Sequence, residues 1–240
     1  MTMTARRYLL RTCSGFLAVL LLAGEISAQT FDAGQAAYEA GQYQVAIENW
    51  EPLSEQGDAR AQASLGLMYA KGLGVERDDK RAIQLFRLSA EQGFVDAQYY
   101  LGIGYRNGLG VPRDDWVAGL WFRRAADQGH AKASAVLGYL LLAKKLLPVD
   151  ENEAFTRISF AAKAGEPPAQ FNLGLMHAGG DGAPQDFVTA YMWIEIAKAN
   201  GLEDTDTYLR RIENELSAEE LEDAKARAVR CRTSDYADCE

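Results

Sequence analysis

The chain has 240 residues, of which 48% are hydrophobic and 25% are charged, and its formal net charge at pH 7 is −9. This hydrophobic content is enough to build a core, which argues against a disordered chain. The negative charge would repel phosphate backbones, so we expect no nucleic acid among the partners.

The first 28 residues have the pattern of a secretory signal peptide. Three arginines precede an apolar run at residues 16–23, and the small residues Ser27 and Ala28 follow it. The run is shorter than the roughly 20 apolar residues that a membrane-spanning helix needs. We therefore predict cleavage near Ala28, with retention as an anchor as the alternative. The mature protein is expected to be periplasmic or secreted, without stable insertion into a membrane.

Residues 29–57 have the pattern of a helix pair. An alanine-rich run up to Ala40 leads through Gly41 into a second run that contains Ala46 and Trp50. This pattern is similar to a tetratricopeptide-type pair with a short turn. We expect the pair to cap the N-terminal end of the structure that follows.

A period of 36 residues dominates the next part of the chain. Glycine recurs at this spacing five times, and alanine, leucine, a second glycine and aspartate keep the same frame without an insertion. The columns are Gly57, Gly93, Gly129, Gly165, Gly201; Ala46, Ala82, Ala118, Ala154, Ala190, Ala226; Leu65, Leu101, Leu137, Leu173, Leu209; Gly66, Gly102, Gly138, Gly174; and Asp78, Asp114, Asp150, Asp186.

Each period is predicted to form two helices joined by a tight turn. In the first one, Leu65 and Tyr69 share a helical face, and Gly66 beside them lets a neighbouring helix approach closely. The Gly-x-Gly at 72–74 provides the turn, and Asp78 stands at the N-cap of the second helix. So short a pair cannot bury both faces alone, which predicts that successive pairs stack.

Two segments that begin at Ala61 and Ala97 resemble Sel-1-like repeats, which are relatives of the tetratricopeptide repeat: AQASLGLMYAKGLGVERDDKRAIQLFRLSAEQG and AQYYLGIGYRNGLGVPRDDWVAGLWFRRAADQG. The resemblance extends over four units. It implies an all-α fold, a right-handed α/α superhelical solenoid of 36-residue helix-turn-helix repeats. It also implies an adaptor or regulator that binds a protein or peptide partner, here in the cell envelope. The four predicted repeats are 58–93, 94–129, 130–165 and 166–201.

One surface stripe of the first helices is a candidate binding surface. Its positions vary between repeats, and stacking should align them along the solenoid. The alternative is that the column of Leu67, Ile103, Tyr139 and Leu175 is apolar because it packs between repeats. The candidate partner-binding residues on this stripe are Tyr100, Ile103, Asn107, Lys132, Tyr139 and Asn172.

The third repeat departs from the others at its turn. It has Lys144, Lys145, Leu146, Leu147 and Pro148 in place of Gly-x-Gly. Without the glycines, we expect its first helix to run longer. A basic, leucine-rich loop on an acidic protein is a second candidate docking site, and a self-packed variant turn is the alternative.

The sequence contains little that resembles a catalytic or metal-binding motif. His130 and His177 are the two histidines, and neither has the spacing of a metal or nucleophile motif. Both are interpreted as packing or capping positions of the repeat. We therefore predict a protein without enzymatic activity, metal or cofactor.

Two other functions are kept as alternatives. One is an envelope enzyme that acts on peptidoglycan or β-lactams, and the other is a scaffold for surface-polysaccharide machinery. Cysteine-rich relatives linked to penicillin carry a cysteine pair in each repeat, which this sequence lacks.

Residues 202–240 are predicted to form C-terminal capping helices and a cysteine-containing tail. Ser217 and Glu220 have the spacing of a capping box. Cys231 and Cys239 are the only cysteines after the signal segment, and an oxidising compartment favours a disulfide between them. On one helix their Cα atoms would be about 12 Å apart, so the helix must stop near Cys231 and the chain must fold back.

Overall fold

A computed structural model describes residues 30–143 and 151–239 of the chain. Within these residues the protein is all-helical, with twelve α-helices and no β-strand. None of these helices is both long and apolar enough to cross a membrane. The helices are α1 (Phe31–Glu39), α2 (Tyr43–Glu55), α3 (Ala59–Lys71), α4 (Asp79–Glu91), α5 (Val95–Asn107), α6 (Asp115–Asp127), α7 (Ala131–Leu142), α8 (Glu151–Lys163), α9 (Pro167–Gly179), α10 (Phe187–Ala199), α11 (Asp206–Glu213) and α12 (Ala218–Thr233).

The helices stack as consecutive pairs, which confirms the predicted α/α solenoid. From α1 to α10 the most extensive contacts join the two helices of each pair, and further contacts join each pair to the next. At the N-terminal end α1 and α2 close around Trp50, which is buried and donates its indole N–H to the carbonyl oxygen of Phe31 at 3.1 Å. At the C-terminal end α12 packs back on α10.

The turns within the repeats have the predicted chemistry. Gly72 ends α3 with φ of 67°, in the left-handed region that glycine adopts without steric cost. Asp78 then caps α4, because its side chain accepts a hydrogen bond from the backbone N–H of Arg81 at 2.9 Å. Asp114 and Asp186 cap α6 and α10 in the same way, and Asp150 lies outside the described residues.

The glycine column inside the first helices permits close packing, as expected. A Cβ atom added to Gly66 would lie 2.7 Å from Cε1 of Phe86, and one added to Gly102 would lie 2.7 Å from Cε1 of Phe122. These distances are below van der Waals contact, so the two helices of each repeat could not pack as closely with a larger residue.

Side-chain amides form what we call the amide ladder. In the first, second and fourth repeats, it ties the end of the second helix to the first helix of the same repeat. A glutamine or asparagine after the second helix donates to the side-chain oxygen of a buried glutamine. The bonded pairs are Gln92 to Gln62 at 2.8 Å, Gln128 to Gln98 at 2.8 Å, and Asn200 to Gln170 at 2.9 Å.

The third repeat interrupts the amide ladder. Ser134 and Ala164 occupy the two equivalent positions, and neither side chain can reproduce the amide bond. Ser134 is buried, and its Oγ has no hydrogen-bond partner among the described residues. The third repeat therefore lacks a hydrogen bond that the other three repeats contain.

The first helix of the third repeat does not run longer, so that prediction is wrong. Helix α7 has 12 residues and ends at Leu142, whereas α3, α5 and α9 each have 13. Ala143 closes it by donating its N–H to the carbonyl oxygen of Tyr139 at 2.9 Å. The candidate docking residues Lys144, Leu146 and Leu147 lie outside the described residues.

The C-terminal tail folds back through a disulfide between Cys231 and Cys239, whose Cα atoms are 4.5 Å apart. Helix α12 continues two residues past Cys231 to Thr233. Asp235 and Tyr236 then reverse the chain with φ of 52° and 64°. The Tyr236 hydroxyl accepts a hydrogen bond from Nδ2 of Asn200 at 2.8 Å, so the tail reaches the amide ladder.

Candidate functional site

A groove of about 620 Å³ crosses the first helices of the second, third and fourth repeats. Its lining comes from α5, α7 and α9, from the segment between α10 and α11, and from α11. The lining residues are Tyr99, Arg106, Lys132, Ala135, Val136, Tyr139, Glu166, Pro168, Phe171, Asn172, Leu202, Glu203, Asp204 and Tyr208.

Three of the six candidate residues on the predicted stripe lie together in this groove. Lys132 and Tyr139 come from α7, and Asn172 comes from α9. Lys132 is exposed, Tyr139 is 44% exposed and Asn172 is half-buried. Lys132 and Tyr139 are therefore accessible to a ligand.

The other three do not belong to the groove. Tyr100 is half-buried and its ring stacks on Phe86 with centroids 5.2 Å apart, so it is a packing residue. Ile103 is also half-buried and packs against the core of the later repeats. Asn107 is exposed but lies outside the lining. Half-burial at Ile103 agrees with the alternative that stacked helices bury more than one face, and partner binding along the stripe stays a prediction.

Part of the lining lies outside the predicted stripe. Tyr99 lies one residue before the predicted stripe, and Phe171 also belongs to the groove. Tyr208 lies on α11, beyond the last predicted repeat, where the period gives no guidance. A signal did exist for Arg106, since the equivalent residues of the other repeats are all apolar: Ala70, Leu142 and Ala178.

His130 is a helix cap, as its place in the repeat suggested. Its Nδ1 accepts a hydrogen bond from the backbone N–H of Ala133 at 3.1 Å, and its ring stacks on Tyr99 with centroids 4.6 Å apart. Nε2 lies 3.6 Å from a carboxylate oxygen of Asp96. Burial lowers the pKa of His130, and Asp96 opposes this shift. The neutral ring is the form that can accept the capping bond.

His177 occupies the position of Tyr69 and Tyr105 in the repeat frame. It is half-buried, and its ring packs edge-on against Phe155 with centroids 5.6 Å apart. Burial lowers the pKa of His177 as well. These contacts are those of a packing residue.

The groove combines apolar and charged side chains. Aromatic rings provide apolar contact, and arginine, lysine and carboxylate side chains surround them. Within residues 30–143 and 151–239, no group of three or more His, Cys, Asp or Glu side chains is arranged to hold a metal ion.

A family model described as the Sel1 repeat matches residues 59–94, 95–130 and 167–202. These matches begin one residue after the predicted first, second and fourth repeats. They leave out the third repeat, which has no Gly-x-Gly turn.

Solved structures and a curated protein share this pattern. The crystal structure of a Sel1 repeat protein from Oxalobacter formigenes is 32% identical over 75% of this chain and 74% of its own, with a TM-score of 0.69. A second crystal structure is that of c5321, a protective antigen present in uropathogenic Escherichia coli strains that displays an SLR fold. It is 27% identical over 82% of this chain and 46% of its own, with a TM-score of 0.73. The chitin synthase regulator SKT5 of Saccharomyces cerevisiae is 44% identical over 62 residues, 26% of this chain. That match spans only 9% of the yeast protein.

Proposed function

This chain belongs to the Sel1 repeat family, and on that premise we propose that it is a non-catalytic adaptor or regulator that binds a protein or peptide partner in the groove. Sel1 repeats typically serve as protein-interaction scaffolds. The observation that carries the proposal is the half-exposed ring of Tyr139 within a groove that aromatic and charged side chains line. Exposed aromatic residues in a recess are typical anchors of protein interfaces.

We propose the cell envelope as the place of action, after cleavage near Ala28. The arginine-rich and apolar pattern of residues 1–28 supports this location, although those residues lie outside the described part. The disulfide between Cys231 and Cys239 supports it independently, because disulfides persist in oxidising compartments. Amino-terminal sequencing of the mature protein tests cleavage, and a mature chain that still begins at Met1 would refute it.

The adaptor has more support than an enzyme acting on peptidoglycan or β-lactams. The described lining residues of the groove include no Ser, Thr, Cys or His, which are the usual nucleophiles and bases of acyl transfer. The groove does contain carboxylates, Glu166 among them, and paired carboxylates serve glycoside hydrolysis. The test of function must therefore detect wall fragments as well as proteins.

A photo-crosslinking amino acid placed at Tyr139 tests the adaptor in cells that produce the protein. We expect it to capture one protein partner at a constant ratio. The matched control is the same amino acid at Leu120, an exposed residue of α6 outside the groove. Equal capture from both positions, or capture of wall fragments without protein, would refute the proposal.

A scaffold of polysaccharide machinery is the second candidate, and one observation favours it. The yeast relative is a regulator of chitin synthase, and a regulator of this type would itself be an adaptor. The same crosslinking experiment distinguishes the candidates by the identity of the captured protein. A polysaccharide synthase or one of its subunits would support the second candidate.

A further inference from the structure

The groove has a basic side and an acidic side. Arg106 on α5 and Lys132 on α7 form the basic side, and Glu203 and Asp204, just before α11, form the acidic side. A further carboxylate, Glu166 at the N-cap of α9, lines the groove between α7 and α11. None of these five side chains lies within 4 Å of an oppositely charged group of another described residue. Their charges are therefore available to a ligand.

The repeat framework does not require a charge at Arg106, because its equivalents in the other repeats are apolar. The guanidinium carbon lies 5.9 Å from the centre of the Tyr139 ring, at the distance of a weak cation–π contact. Arg106 is half-buried beside Tyr139 and lines the groove there.

Aromatic rings line the groove together with the charged side chains. Tyr139 is 44% exposed and Tyr208 is 43% exposed, and Phe171 packs edge-on against Tyr208 with centroids 4.9 Å apart. Large rings that remain half exposed in a recess gain free energy when an apolar side chain covers them. The centre of the groove therefore suits an aromatic or aliphatic side chain.

The groove has the length of a short extended peptide. It crosses from α5 through α7 and α9 to α11, and packed helices are spaced roughly 8–10 Å apart. Three such spacings cover roughly 25–30 Å, the reach of about eight extended residues.

We propose that the occupant is an extended segment of a partner protein with acidic side chains at one end and basic side chains at the other. An aromatic or aliphatic side chain lies between them on Tyr139 and Tyr208. The acidic end faces Arg106 and Lys132, and the basic end faces Glu203 and Asp204 because opposite potentials attract across an interface. This inference rests on the proposed function and specifies the chemistry of the partner.

Four nonapeptides with blocked ends and a central tryptophan test the proposal. The first is acidic at one end and basic at the other, and the second and third carry one sign of charge at both ends. The fourth has serine in place of every charge. Binding is followed by NMR titration of the backbone amides of Tyr139 and Asn172, which measures even millimolar dissociation constants. We expect the first peptide to bind about fivefold or more tightly than the others, and salt to reduce the difference.

Charge reversal on the protein provides the specificity test. Lys132→Glu should weaken binding of the first peptide about threefold or more and should strengthen binding of the peptide that is basic at both ends. The matched control is Lys80→Glu, which changes the net charge equally at an exposed residue of α4 outside the groove. We expect it to leave the order of affinities unchanged.

The outcomes separate this inference from the proposed function. If all four peptides bind equally, or if Lys80→Glu acts as Lys132→Glu does, the inference is wrong and the groove remains a binding site. If no peptide shifts the groove amides at millimolar concentration, peptide binding in the groove is refuted together with the inference.

Discussion

Replacing Gln98 by alanine should destabilise the protein, whereas the same replacement at the equivalent Ser134 should not. Gln98 is 4% exposed, accepts a hydrogen bond from Gln128 at 2.8 Å and donates one to the carbonyl oxygen of Ala90 at 3.3 Å. Each bond contributes about 1 kcal/mol, and the buried methylene group adds about 0.8 kcal/mol. Gln98→Ala should therefore lower the free energy of unfolding by about 2–3 kcal/mol.

Ser134 offers a matched control within the same chain. Its buried hydroxyl has no hydrogen-bond partner in the described part of the structure, so its removal costs no bond. Ser134→Ala should leave the free energy of unfolding unchanged or raise it by up to about 1 kcal/mol, because an unpaired buried polar group is unfavourable.

Urea unfolding followed by circular dichroism measures both changes. For a slope of about 2–3 kcal/mol/M, Gln98→Ala should lower the midpoint by roughly 1 M without changing the slope. A double-mutant cycle with Gln128→Ala should give a coupling energy of about 0.5–1.5 kcal/mol. If Gln98→Ala and Ser134→Ala shift the midpoint equally, the amide ladder is not the source of the stability.

Three further predictions concern packing, pH and the tail. Tyr100→Ala should lower the free energy of unfolding by about 2 kcal/mol and Tyr139→Ala by less than about 1 kcal/mol, because only Tyr100 stacks on a buried ring, that of Phe86. Urea unfolding measures both losses, and equal losses would contradict this difference in packing. Burial lowers the pKa of His130 from 6.5 in the folded protein, so the unfolded chain binds a proton more readily than the folded chain does. Protonation therefore favours the unfolded chain, and the free energy of unfolding should fall as the pH drops below about 6.5. His130→Asn keeps a capping side chain but removes the titrating ring, so the melting temperature of this variant should fall less between pH 7.5 and 5 than that of the unchanged protein. An equal fall in both proteins would show that other groups cause the pH dependence. Cys239→Ser should lower the free energy of unfolding by roughly 2 to 3 kcal/mol at most. Amide hydrogen exchange should speed up at Tyr236 before it does at other residues, and an unchanged exchange rate at Tyr236 would show that the tail is held without the disulfide.

The repeat framework could be predicted because its physical requirements are local. A left-handed turn needs glycine at Gly72, close packing needs glycine at Gly66, and a helix start needs a cap such as Asp78. Each requirement recurs at a fixed spacing, so the columns reveal the helix pairs without any knowledge of their packing.

The groove could be predicted only in part because its shape depends on the stacking between repeats. Periodicity identifies the faces of a helix, but the choice between Tyr99 and Tyr100 depends on which ring meets Phe86 in the neighbouring helix. Tyr208 contributes from a helix outside the period. The sequence therefore indicates which residues share the candidate binding stripe of the first helices. It does not indicate which of them a neighbouring repeat buries.

The folded-back tail joins two layers of the stack. Tyr236 bonds to Asn200 at the end of the fourth repeat, and a Cβ on Gly165, at the end of the third, would lie 3.3 Å from the same ring. Solenoid stability is usually a sum of units that each respond only to their immediate neighbours. Here the tail reaches past the fourth repeat to the interior repeat that lacks its own amide bond. A description that counts only contacts between successive repeats therefore leaves out this contact of the tail.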